Sequence, residues 1–172
     1  MNDIDYDQDV KHESLSCPSP QHLEADPAVF HDVIWLEMVA SYIAGKDWDQ
    51  FILVLDGIIK RLKGLVPNRA DIHDKIDASV PLDLIKQMLE NEAIQHQDFV
   101  NYFTTLLLWV RDLGIPERDA LIEEQVTELK DIEVPQNGYE KILPLLILRI
   151  HCHIDLIEFM IKRLHVKDSK EN

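Results

Sequence analysis

His151, Cys152 and His153 form an unbroken run, and Asp155 and Glu158 follow within two helical turns. Imidazole, thiolate and carboxylate are the ordinary ligands of zinc. A metal-dependent enzyme centred on His151 and Asp155 is therefore one function to weigh for this chain. The spacing argues against it. Residues two apart on a helix point to different faces, so His151 and His153 do not converge on one ion. His151, Asp155 and Glu158 do share a face, and an ion pair at i,i+4 spacing accounts for them without a metal. Neither a Glu-x-x-His pair nor His-Glu-x-x-His occurs in the chain. We expect no metal and no cofactor.

Cys152 lies among Ile147, Leu148, Ile150 and Ile154. A thiol in such company is a small core residue, whereas a reactive one needs an electropositive, accessible setting. Gly-x-Ser-x-Gly, P-loop and dinucleotide fingerprints are absent from the sequence. No residue is assigned a catalytic role, and the chain reads as a non-enzyme. The remaining polar residues of interest are Arg69, Asp83, Arg118 and Asp119, which sit beside Pro67, Pro81 and Pro116. Arginine suits bidentate pairing with carboxylate. Arg118 is expected to pair with Asp83 or Asp155, and Asp119 to satisfy free N–H groups in the first turn of a helix. Trp35, Trp48 and Trp109 lie on or beside apolar stripes, where tryptophan is either half-buried core or an anchor for a partner.

These side chains must be positioned by helices. Asp26-Pro27 is a cap followed by a first-turn proline, and Val29, Val33, Leu36, Ala40 and Ile43 make the first stripe, stopped by Gly45. Asp47 and Gln50 form a capping pair ahead of Phe51, Leu55, Ile58, Leu62 and Leu65, with Ile52, Leu53 and Val54 widening that stripe, so this second helix should be central. Pro67 ends it, and Asn68 caps a short helix from Arg69 to Ala78. A fourth begins near Leu82. A fifth spans Asp98 to Leu113 with Gly114 as its cap, and a sixth opens at Pro116. Pro135, Asn137 and Gly138 form a turn, Asn137 and Glu140 a capping pair, and the last helix runs toward Leu164 with Pro144 as its kink or its true start. Period-two alternation is weak throughout, so no strand is expected. The fold class is all-α, a single-domain bundle of about six or seven helices with short loops. The expected domain is 26–165, flanked by a disordered acidic tail, 1–25, and a short tail, 166–172.

The 172 residues carry a formal net charge of −15, which repels both nucleic-acid phosphate and anionic lipid. A protein partner, and a basic one, is the electrostatic complement. A homo-oligomer stays open. The 2 cysteines form no disulfide framework, the first residues have no signal-peptide character, and the apolar run from Ile142 to Ile150 is interrupted by Pro144 and Arg149. It falls short of the roughly 20 residues that span a bilayer. A cytoplasmic location is expected.

Leu65-Val66-Pro67-Asn68-Arg69, Asp83-Leu84-Ile85-Lys86-Gln87 and Pro116-Glu117-Arg118-Asp119 occur in that order. They resemble the ordered motifs of the T-complex protein 11 family, and the stretch from Arg149 to Phe159, with Asp155, is similar to a later helix of that family. Gly114-Ile115 stands where the family has Cys-Ala, and His153-Ile154 where it has Met-Lys. The likeness covers roughly Trp35 to Phe159. It implies an all-helical, non-enzymatic protein of signal transduction, tied to the cyclic-AMP and protein-kinase-A pathway, with no catalytic residues to carry over. Sequence and resemblance together point to a regulatory, protein-binding helical module. The alternatives are a small acidic chaperone or adaptor for another protein, and the metal-dependent enzyme above.

Overall fold

A computed structural model describes the backbone of residues 27–136 and 138–168, and the side chains of 33–136 and 138–165. The expected N-terminal tail, the cap Asp26 and the capping residue Asn137 lie outside the described residues. What is described is all-α: α1 (Pro27–Ala44), α2 (Trp48–Leu65), α3 (Ala70–Ser79), α4 (Leu82–Glu90), α5 (His96–Asp112), a 3-10 turn (Pro116–Arg118), α6 (Asp119–Asp131) and α7 (Ile142–Asp168).

α2 starts where its capping residue predicts, with the Asp47 carboxylate accepting from the Gln50 N–H at 3.3 Å. Its buried face is Phe51, Leu55, Ile58, Ile59 and Leu62, and the helix packs against α1, α3, α4 and α7, so it is central. Its C-terminus is sealed by a side chain from α3. The His73 Nε2–H donates to the carbonyls of Val66 (2.9 Å) and Lys63 (3.1 Å), beside the turn bonds that these accept from the Arg69 and Val66 N–H groups. α5 begins two residues before the expected Asp98, because Asp98 serves as the third residue of a cap and accepts from the Gln95 N–H at 2.8 Å. Arg69, not Asn68, is the N-cap of α3.

Prolines and glycines work in ways only partly foreseen. Pro144 marks a start rather than a kink. It stands in the first turn of α7, where backbone N–H groups lack helical partners and the missing donor costs nothing. Pro116 opens a 3-10 turn, and α6 follows only from Asp119. Gly114 is needed for space. A Cβ there would lie 2.4 Å from the Val110 carbonyl oxygen and 3.1 Å from Ile157 Cδ1, so the end of α5 and the middle of α7 meet across a bare backbone. Gly138 has φ of 84°, the left-handed region expected of a turn glycine. The last helix continues to Asp168, three residues into the segment expected to be a tail.

The core is a single cluster, and α7 supplies one continuous stripe of it: Leu143, Ile147, Ile150, Ile154 and Ile157. These recur at alternating spacings of four and three, the signature of one helical face. Ile154 is fully buried, whereas Leu53 on α2 is 59% exposed. Ile154→Ala should therefore lower the free energy of unfolding by about 2–5 kcal/mol through lost transfer energy and a cavity. Leu53→Ala should change it by no more than about 0.5 kcal/mol. Urea unfolding of the two variants beside the unaltered chain checks the contrast.

Candidate functional site

Two polar clusters grip α7 from different sides, one through each of its neighbouring histidines. On the first side, Arg61 reaches across from α2. Its Nη1 donates to His151 Nδ1 at 2.9 Å, its Nη2 to Asp155 Oδ1 at 2.5 Å, and its Nε to Glu158 Oε1 at 3.3 Å. Trp35 of α1 meets the imidazole edge-on, with ring centroids 5.8 Å apart. The shared face of His151, Asp155 and Glu158 is thus real, but an arginine from another helix neutralises it rather than an ion pair within α7. Burial pulls the Arg61 pKa down, and the hydrogen bonds and charges of Glu158 and Asp155 outweigh it, so the net shift is upward. His151 is shifted down, first by burial and then by the Arg61 charge, against the opposing pull of Asp155 and Glu158.

The second cluster is buried. His153 is 1% exposed and Arg118, at the end of the 3-10 turn, is 8% exposed. Arg118 Nη2 lies 3.3 Å from His153 Nδ1, and His153 Nε2 lies 2.8 Å from Gln125 Oε1 of α6. A guanidinium has only donors, so Nδ1 accepts and the imidazole proton sits on Nε2, where it is donated to the Gln125 carbonyl. The tautomer follows from the partners. Burial, then the charges of Arg118 and Arg149, push the His153 pKa down to about 4. The expected carboxylate partner of Arg118 is not there. Asp155 is engaged by Arg61, and Asp83 stands exposed in the first turn of α4. Asp119 does not cap α6 through its side chain, and its buried Oδ1 has no hydrogen-bond partner, nor has the buried Arg118 Nε.

Of the other sequence candidates, Arg69 is exposed and binds Asp71 through two hydrogen bonds of 2.8 and 2.7 Å. Those bonds are the main cause of the Asp71 pKa falling to about 2. Trp48 packs edge-on against Phe51 at 6.1 Å, and the half-buried Trp109 donates its indole N–H to Ser79 Oγ at 2.9 Å. Arg69, Asp83 and the adjacent pair Arg118–Asp119 therefore sit at three different helix starts rather than in one centre, and each tryptophan packs against a different partner. Cys152 is half-buried. Among the described residues no group of three or more His, Cys, Asp or Glu side chains is arranged to hold a metal ion. The cation on the His151 face is the Arg61 guanidinium itself.

No protein-family model, curated protein or solved structure matches this chain. The likeness to the T-complex protein 11 family therefore rests on the quoted motifs, which the fold distributes over the α2–α3 junction, α4 and the 3-10 turn.

Sequence reasoning missed a third polar contact. His96, at the start of α5, bonds the Tyr139 hydroxyl through Nδ1 at 2.9 Å and the Ile132 carbonyl through Nε2 at 2.8 Å. It ties the loop between α6 and α7 to α5, and Tyr139 also packs on Phe99 with centroids 4.4 Å apart. Nothing in the local sequence marks it, because its partners lie 43 and 36 residues away.

Two stability outcomes follow from these geometries. Tyr139→Phe removes one donor and keeps the ring, so it should cost about 1 kcal/mol. A double-mutant cycle on Arg61 and Asp155 should return a coupling of no more than about 1 kcal/mol, since the Asp155 side chain is 67% exposed and solvent screens the pair. Chemical denaturation of the variants measures both.

Proposed function

We propose that this protein is a helical interaction module that binds a basic protein partner and regulates it, with no chemistry of its own. The observation that carries the reading is on α1. Ile34 and Met38, one turn apart, are 49% and 40% exposed. Glu37 stands between them, also exposed. Paired apolar side chains on an outer helix face suit recognition by a groove or by another amphipathic helix. The Glu37 carboxylate favours a partner with Lys or Arg at its rim, and the −15 net charge would speed its approach. Trp35, beside this pair, is half-buried against His151 and would fix the edge of the surface.

Among the described residues no helix is long and apolar enough to cross a membrane. A place in the cyclic-AMP and protein-kinase-A pathway is a narrower proposal and rests on the sequence motifs alone.

Capture from native lysate with the full chain as bait, read by mass spectrometry, tests the proposal. We expect a basic protein that is retained at low salt and released as ionic strength rises, because the steering charges are screened. Ile34→Asp with Met38→Asp should abolish its retention while leaving the helical circular-dichroism signal intact. Retention unaffected by both substitutions would remove the α1 surface from consideration, and an acidic partner indifferent to salt would refute the electrostatic reading.

A further inference from the structure

His151 and His153 are next-but-one neighbours on α7, and each accepts a hydrogen bond from an arginine of a different element. We propose that these two arginine–histidine contacts form an acid-sensitive clasp, which holds α7 against α2 and the 3-10 turn only while both imidazoles are neutral, and which mild acid opens.

The chemistry is that of donors and acceptors. A neutral imidazole offers one lone pair, and in both contacts Nδ1 offers it to a guanidinium N–H. Protonation replaces the lone pair with a second N–H. Donor then faces donor and cation faces cation, and at His153 the surroundings are buried, so little water can screen them.

The groups facing each ring set the strength of the effect. Around His153 stand Arg118 from the 3-10 turn, the uncharged Gln125 from α6, and Arg149 on α7 itself. Arg149 shares its charge with Glu128 of α6, 3.3 Å away. α5 meets this part of α7 with Phe103 and Leu107, which carry no charge. Among the described residues no carboxylate forms an ion pair with Arg118 or His153. Around His151 stand Arg61 from α2, the uncharged Trp35 from α1, and Asp155 and Glu158 on α7. Those two carboxylates would temper a charge on His151. His153 has no such relief, and it is the main sensor of the pair.

The direction and window follow from linkage. A histidine held near 4 in the folded chain and free at about 6.5 when released contributes stability that is complete above 6.5. That stability is lost as the pH falls from 6.5 to about 4, because the open state binds the proton first. For His153 alone, the equilibrium constant for opening should rise on the order of twentyfold between pH 7 and pH 5. The surface uncovered would be the stripe of Ile147, Ile150 and Ile154, so acid would convert a closed bundle into one that displays an apolar helix.

Amide hydrogen exchange of the full chain at pH 7 and pH 5, corrected for the intrinsic exchange rate at each pH, reads the opening of α7 directly. We expect the α7 amides to lose protection by the stated factor. The double variant His151→Gln, His153→Gln places neutral amides at both positions and should flatten that dependence. Should the double variant not fold, an NMR titration of His153 in the unaltered chain and in Arg118→Met serves in its place. His153 should titrate well below 6.5 in the first and move upward in the second. The proposal is overturned by equal α7 protection at both pH values, by full pH dependence persisting in the double variant, or by His153 titrating at its ordinary value in the unaltered chain.

Discussion

The rest of the structure depends on covering the stripe of α7, Leu143 to Ile157. No helix of this chain could stand alone in water with such a face, because most helical stability in a protein comes from packing an apolar side rather than from intrinsic propensity. α1, α2 and α5 each lay part of their own buried surface against it. The bare backbone at Gly114 allows the end of α5 to come in close enough for Ile157 to fill the contact. Prolines at some helix starts and the capping side chains of α2 and α5 set where those rods begin, and the need to enclose α7 sets how the rods lie together.

Enclosure of that kind leaves the polar positions of α7 with little choice of environment. A helix surrounded on several sides has few directions in which a histidine can reach solvent. His153 is driven into the interior and must find partners there, which it does in Arg118 and Gln125. His151, on a more open side of α7, collects Arg61 together with two carboxylates and forms a partly exposed network. The same helix thus carries a buried polar contact and a partly exposed one. The buried one has an Nε and, next along the chain, a carboxylate oxygen with no protein partner. An unsatisfied buried polar group is costly, so the packing around this junction must offset what its own bonds leave unmet.

The all-α class and most helix positions were legible in the sequence, because a 3.6-residue apolar period and an aspartate cap are local signals. Phe51 to Leu62 on α2 is the clearest case. The start of α5 was displaced by two residues because Asp98 can serve a cap from inside the helix as well as from its edge. Polar partnerships were legible only where both members share a helix face. The grouping of His151, Asp155 and Glu158 could be foreseen, but the arginine that completes it comes from 90 to 97 residues earlier in the chain. The charge rule that arginine seeks carboxylate gave the wrong partner for Arg118. The position is sealed by α7, and the side chain available there is an imidazole. His73 and His96, whose contacts close a helix end and pin a loop, left no sequence signal, since histidine is equally common as an exposed residue.

The separation between α2 and α7 also bears on the order of assembly. The helices from Pro27 to Asp112 can be made and can begin to pair before residue 143 exists, but the side of α2 and α5 that α7 covers stays open until the last helix has been synthesised. Because closing a longer loop costs only slightly more than closing a short one, late docking of α7 carries little thermodynamic penalty. Its cost is in time: a nascent chain with a finished first half and an uncovered apolar trough is the species most exposed to aggregation or to capture by a chaperone, and the docking of the final helix ends that exposure.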